Sequence, residues 1–333
     1  MKKAIIILCS ICILACVGML TSNVTQLIKQ ANTLPADQVN ANVNVMLKRP
    51  SGWKKLYEQA PIKDINFDIL DGSTATIPIT AELYRQFYDY DDEAVIQKVY
   101  HSTTHDAYLN LIHKQAGGYA GSIPVGLIFV TEPSAEELQI AKEANVSMDV
   151  TPIAKDGFVF ITHKSNPVNS LTVEQVQKIY TGEITNWNQV GGKDQAIKAY
   201  QREPNSGSQT AMEQLVMKDK PMTPPIKTMI KTGMGMLIDS VAEYKNESAA
   251  IGYTYYYYIN NLYKNDNIKV LQINGITPGN KNLLSGAYPF TTNYYAVIRK
   301  DEPAGSDARR LRDWLLTEDG QKLVELAGYC RRK

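Results

Sequence analysis

Two short stretches combine residue types that can hold an anion without reacting with it. The first is Asp71-Gly72-Ser73-Thr74-Ala75-Thr76, and the second is Arg202-Glu203-Pro204-Asn205-Ser206-Gly207-Ser208. Each offers hydroxyls and backbone N–H groups where a helix is expected to begin, and the first N–H groups of a helix have no partner within it. Ser73, Thr74, Thr76, Ser206 and Ser208 add donors without adding charge. Arg202 adds the counter-charge, with a planar fork that meets two oxygens at once. Taken singly, the first stretch reads as an ordinary N-cap and turn, and the second as a loop with an exposed Arg202–Glu203 salt bridge. Both follow strands, however, and ligands of open α/β sheets sit at the carboxyl ends of strands.

The elements around them support that placement. Ile65 to Leu70 alternates as a strand does and runs into the first turn, and Pro78 suits the opening of a helix carrying Leu83, Phe87 and Tyr88. Gly126 to Val130 is an apolar strand, followed by the capping box Ser134-Ala135-Glu136-Glu137 and a helix to about Ala144. Phe158 to Thr162 is a further strand. Thr172 to Gln175 opens a helix that Gly182 ends, and Ile197 to Tyr200 leads into the arginine loop and a helix over 209–217. Leu311, Trp314, Leu315, Leu323, Val324 and Leu326 mark two last helices separated by Glu318-Asp319-Gly320. Strand, small-residue turn and helix recur, which is the pattern of an α/β protein.

On these residues the chain resembles the phosphate-binding type of extracytoplasmic solute-binding protein that serves ABC transporters. The matching stretches are Gly72-Ser73-Thr74, Ser170 to Trp187, Arg202 to Ser208, Ala250-Ile251-Gly252-Tyr253 and Tyr288-Pro289-Phe290, within roughly residues 61 to 330. Ile179-Tyr180-Thr181-Gly182 with Thr185-Asn186-Trp187 is the most specific of them and belongs to the scaffold. The resemblance implies a periplasmic-binding-protein-like fold of type II, with two lobes closing over one tetrahedral oxyanion. It assigns 61–152 with 255–333 to one lobe and 153–254 to the other, crossings falling near Val150 to Lys155 and Tyr253 to Asn260. It makes Ser73, Thr74 and Thr76 donors of the first turn, and Thr104 the donor of a second. Arg202, Ser206, Gly207 and Ser208 fall on the family's arginine loop. Two positions depart from the family pattern. The turn after Val130 lacks the aspartate that accepts a hydrogen bond from protonated phosphate, and Glu132 is the nearest carboxylate. Pro204 replaces an aspartate that orients the arginine, a task left to Glu203. Without an acceptor, the preference for phosphate over fully ionised sulfate should weaken.

The N-terminus bears on location. Lys2 and Lys3 precede an apolar run of 17 residues from Ala4 to Leu20. That is close to the roughly 20 residues a spanning helix needs, and also fits an export signal. Ile13-Leu14-Ala15-Cys16 resembles a lipoprotein box with Cys16 as the acylated residue. Residues 1–20 are therefore read as signal or anchor, and 21–60, rich in Asn, Gln, Thr and Ala, as a tether. The body is placed outside the cytoplasm, on the outer face of the membrane.

The 333 residues are 44% hydrophobic and 21% charged, which supports two ordinary domains and excludes a disordered chain. Thirty-five basic residues against 34 acidic ones leave a formal charge of +1 and no electrostatic reason for a nucleic-acid partner. Of four cysteines only Cys330 lies beyond Cys16, so no disulfide framework fits.

His101, His105 and His113 are spaced for one helix face, but Ser102-Thr103-Thr104 looks like a helix cap, which removes the zinc reading. Ser51 to Lys54 and Lys231-Thr232-Gly233 echo serine-hydrolase elements, but the S-x-N element that belongs with them is absent from the chain. The tyrosines Tyr253 and Tyr255 to Tyr258 read as a strand and its edge. The chain is thus expected to be no enzyme and to need no cofactor or metal. It is read as a monomer that captures an inorganic oxyanion, phosphate first, for an ABC permease. The alternative is a membrane-tethered sensor with the same pocket and no transport role.

Overall fold

The computed structural model describes residues 47, 49, 52–114, 124–218, 220–243 and 249–332. The readings of residues 1–45, Cys16 among them, lie outside the described residues, and Met46–Lys333 forms one compact unit. Its strands are β1 Leu70–Gly72, β2 Leu127–Val130, β3 Met148–His163, β4 Ser170–Leu171, β5 Lys198–Ala199, β6 Gln201–Arg202, β7 Ile230–Lys231, β8 Ala250–Tyr255, β9 Ile268–Val270, β10 Gln272–Ile273, β11 Thr291–Arg299 and β12 Cys330–Arg331. Its α-helices are α1 Ile77–Tyr88, α2 Asp92–Lys98, α3 Thr104–His113, α4 Ala135–Glu143, α5 Val173–Thr181, α6 Gly207–Ala211, α7 Met234–Ala242, α8 Asn280–Leu284, α9 Asp307–Leu315 and α10 Glu318–Leu326.

The main sheet runs in the order β1-β2-β11-β3-β8-β5, with β9 and β12 also pairing with β3. Strand β2 is the apolar run Leu127 to Val130, all fully buried, and it pairs in parallel with β1. Strand β3 changes neighbours along its length. Residues 148–157 run antiparallel to β11, while 158–163 run antiparallel to β8 and β9. One strand therefore joins two halves of the sheet, each with its own covering helices. Asp156 stands at the exchange, 2% exposed. It accepts hydrogen bonds from Gly157 N (2.7 Å), Tyr257 N (3.0 Å) and the Tyr294 hydroxyl (3.0 Å). Burial pushes its carboxyl up to about 7, against the pull of those donors.

The capping boxes at Ser134/Glu137 and Thr172/Gln175 form as the sequence indicates, and Gly182 ends α5 in the left-handed region at φ 80°. Four expectations shift. The alternation over Ile65 to Leu70 yields only the three-residue strand Leu70–Gly72, because the ladder with β2 begins at Leu127. Phe67 instead packs edge-on against Tyr84, Phe87 and Tyr88 of α1. The last two helices part at Leu316 and Thr317, not at Gly320. Gly320 lies inside α10, where a Cβ would collide with Trp314 O and the Leu315 backbone. Residues 53–56, expected in the tether, pack on the body: Trp53 Nε1 donates to Glu82 Oε2 (2.7 Å), and Leu56 N to Gln86 Oε1 (2.8 Å). Finally, β9 and β10 pair with β3 residues 161–163 and with β4. Residues 268–273 therefore associate with the half that holds 158–171, although the sequence reading grouped them with 255–333.

Candidate functional site

The first turn leaves β1 directly. Ser73 N donates to Phe129 O of β2 (2.9 Å), and Ser73 caps a short 3-10 turn, Thr74–Thr76, that continues into α1. Thr74 is partly exposed at the start of that turn. Thr76 is fully buried, and its hydroxyl lies 2.6 Å from Phe129 O and 2.9 Å from Ser73 O. Its single proton is therefore spent on the scaffold. His101 sits behind the turn, with Nδ1 2.7 Å from Ser73 O and Nε2 2.9 Å from Thr80 Oγ1. Burial pushes its pKa down, so the ring is neutral, with Nδ1–H donating to the carbonyl.

A buried carboxylate ties this turn to the next. Asp71, 1% exposed, accepts from Gly72 N (2.6 Å), Ser102 N, Ser102 Oγ and Asn110 Nδ2 (each 2.8 Å). Ser102 lies just ahead of α3, whose N-cap is Thr103 and whose first residue is the buried Thr104. Helix α3 thus begins where the spacing of Ser102 to Thr104 indicates. His101 lies before it, and His105 pairs with Glu137 Oε1 at 3.0 Å.

Strand β6 ends at Arg202, which is 8% exposed and lies opposite Lys231 of β7. Its guanidinium is held from several sides: Nε donates to Lys231 O (2.8 Å), Nη2 to Thr232 O (3.0 Å) and Glu203 Oε1 (3.3 Å), and Nη1 to Ser208 Oγ (3.0 Å). Lys231-Thr232 therefore serves as a carbonyl cradle for the arginine. Those bonds occupy four of the five guanidinium N–H groups, leaving one on Nη1 among the described residues. Glu203 is partly buried, which pushes its carboxyl pKa up, while Arg202 pulls it down.

The loop backbone is equally fixed. Arg202 N donates to the Tyr253 hydroxyl (2.9 Å) and to Gln209 Oε1 (3.2 Å), and the Tyr253 hydroxyl donates to Gln209 in turn. Tyr255 donates to Gly207 O at 2.9 Å. Ser206 donates to Glu203 O (3.0 Å) and accepts from Gln209 N (3.3 Å), so its hydroxyl closes the loop.

Gly207 is the meeting point. A Cβ built there would lie 2.8 Å from Thr104 Oγ1 and closer still to Thr131 Oγ1. Thr131 follows β2, one strand over from Ser73 at the end of β1. The structure thus gathers the carboxyl ends of β1 and β2, the start of α3 and the arginine loop around one point. Of the residues singled out in the sequence, Thr104, Arg202, Gly207 and Ser208 stand there, with Ser73 and Thr74 at the neighbouring strand end. Thr76 and Ser206 are committed to their own turns. Glu132 is exposed, because the residue pointing inward from that turn is its neighbour Thr131. The inward-facing Thr131 and the supporting roles of Asp71, His101, Tyr253 and Tyr255 escaped sequence reasoning. Asp71 alone left a signal, as an acid immediately before a small-residue turn. The surroundings are hydroxyls, backbone amides and one cation, a set that binds an oxyanion by hydrogen bonds. A cavity of about 350 Å³, with Gln201, Gln209, Glu213, Met222 and Thr223 in its lining, has none of Thr104, Thr131, Arg202, Gly207 or Ser208 in its wall.

A family model described as a PBP superfamily domain matches residues 85–318. The phosphate-binding protein PstS of Bacillus subtilis is 26% identical over 270 residues, covering 78% of this chain and 79% of that protein. Among solved structures, one from Clostridium perfringens, assigned as a phosphate ABC transporter substrate-binding protein and holding phosphate, has a TM-score of 0.59. It is 27% identical over 79% of this chain and 98% of that one. An ABC-type phosphate transport receptor from Vibrio cholerae has a TM-score of 0.55 at 22% identity, over 78% of this chain and 98% of its own, and speaks for the fold.

Proposed function

The chain belongs to the PBP superfamily, and from that premise we propose that it is an extracytoplasmic solute-binding protein that captures inorganic phosphate and delivers it to an ABC importer. The observation that carries the reading is the buried Arg202, held by the carbonyls of Lys231 and Thr232 beside Ser208, with the hydroxyls of Thr104 and Thr131 across Gly207. The similarity to the Bacillus subtilis and Clostridium perfringens phosphate binders supports it.

In this reading Ser73, Thr74 and Thr104 meet the ligand from one lobe, and Arg202, Gly207 and Ser208 from the other. Thr76 and Ser206 hold the turns. The lobes are 61–152 with 255–333, and 153–254, amended so that Ile268–Ile273 goes with the second. The crossing in β3 falls at Gly157, where the strand changes partner. Closure follows from ligand affinity for the state in which both lobes touch it. The protein performs no reaction, acts as a monomer, and is held at the outer face of the membrane through acylated Cys16 or a retained segment 1–20.

The test is calorimetric titration of the full chain in detergent, refolded from denaturant to strip co-purified ligand. Wild type should bind phosphate at micromolar or tighter affinity, and Arg202→Ala should weaken it by about 100-fold or more, as expected for losing the counter-charge at the site together with a charge-assisted donor. Wild type without heat of binding, or an Arg202→Ala variant of unchanged affinity, would sink the reading.

A further inference from the structure

Thr131 is 3% exposed, and its hydroxyl oxygen is one of three buried side-chain atoms among the described residues that have no hydrogen-bond partner. The other two are Thr254 Oγ1 in β8 and Arg331 Nε in β12. Buried polar atoms are almost always satisfied, so an orphan at the meeting point of the turns is waiting for something. Tyr255 donates nothing to Thr131, since its phenol proton goes to Gly207 O. Thr131 is held in place from behind, by Tyr108 donating to its carbonyl at 2.8 Å.

We propose that Thr131 Oγ1 contacts the ligand, and that as a hydroxyl it lets the site take a fully ionised tetrahedral oxyanion, sulfate, as well as phosphate. This rests on the oxyanion reading above. A hydroxyl can donate to a ligand oxygen or accept from a ligand O–H, whereas a carboxylate can only accept. Phosphate near neutral pH carries a proton and sulfate carries none, so discrimination between them needs an acceptor that cannot turn donor. The carboxylates around the turns are committed to protein donors, except for Glu132, which faces solvent. Asp71 takes four donors, Glu136 takes Asn205, Glu137 takes Ser134 N and His105, Glu203 takes Arg202, and Asp106 takes Thr103.

The experiment is competition between phosphate and sulfate for the full chain, alongside Thr131→Val and Thr131→Asp, with each variant's thermal midpoint recorded. Wild type should bind sulfate within about tenfold of phosphate. Thr131→Val keeps the shape, so it should leave the ligand-free midpoint unchanged or raised, and weaken both anions by about tenfold, the loss of one hydrogen bond to a charged group. Thr131→Asp should weaken sulfate by about 100-fold through like-charge contact and spare phosphate by comparison. Sulfate failing to compete while phosphate binds overturns the inference and leaves the phosphate reading standing. So does a Thr131→Val variant with unchanged affinity for both, or one whose ligand-free midpoint falls. No binding of either anion by wild type overturns both.

Discussion

Arg202 shows how much support one charged side chain needs before it can serve a ligand. Its backbone N–H is taken by Tyr253 and Gln209, and its guanidinium by two carbonyls, a hydroxyl and a carboxylate. Such ordering removes the rotamer freedom that an exposed arginine would lose only on binding. Tyr253 is the keystone, since its hydroxyl accepts from Arg202 and donates to Gln209. Tyr253→Phe is expected to cost about 1–2 kcal/mol of stability, the price of a buried hydrogen bond, and to weaken phosphate several-fold. Denaturant titration and calorimetry on the same preparation check this, and an unchanged phosphate affinity would make Tyr253 plain core.

Among the elements, the close approach of the arginine loop to the ends of β2 and α3 depends on Gly207 having no side chain. In Gly207→Ala the new Cβ meets the hydroxyls of Thr104 and Thr131, and overpacking of this kind costs about 1–3 kcal/mol. If the loop and those two threonines belong to opposite lobes, the methyl acts as a wedge. Phosphate should bind at least tenfold more weakly, and the radius of gyration from solution scattering at saturating phosphate should stay at the ligand-free value. A normal contraction would show that the threonines simply step aside. The strand-turn-helix units themselves are built from local rules, as the capping boxes of α4 and α5 show.

At the scale of the whole molecule, β3 joins the two halves of the sheet, and Asp156 binds the exchange point to Tyr257 beyond β8 and to Tyr294 of β11. Its carboxyl is raised by burial from 3.8 to about 7. Between those values the unfolded chain has released the proton and the folded chain keeps it, so the group's stability contribution is intact below about pH 4 and falls as pH rises to about 7. Asp156→Asn retains an oxygen for the two N–H donors and an amide for Tyr294. Relative to wild type it should be close to neutral at about pH 4 and more stable at about pH 8, by an amount on the order of 4 kcal/mol at most. Denaturant midpoints at the two pH values decide it, and a difference independent of pH would mean that Asp156 does not titrate in this range.

Short-range chemistry is what the sequence by itself determined. The α/β alternation, the helix starts at Ser134 and Thr172, the stop at Gly182 and the two small-residue turns all follow from interactions within a few residues, and all appear where the spacing puts them. The family likeness and the arginine loop were legible for the same reason. Contacts between residues distant in sequence were decided only by the tertiary structure. Thr131 and Glu132 are equivalent on paper, and the direction in which β2 ends buries one and exposes the other. Tyr253 and Tyr255 read only as part of a strand until the fold sets their hydroxyls against Arg202 and Gly207. The placement of residues 268–273 beside β3 and β4 is likewise a matter of pairing partner, which no local pattern encodes.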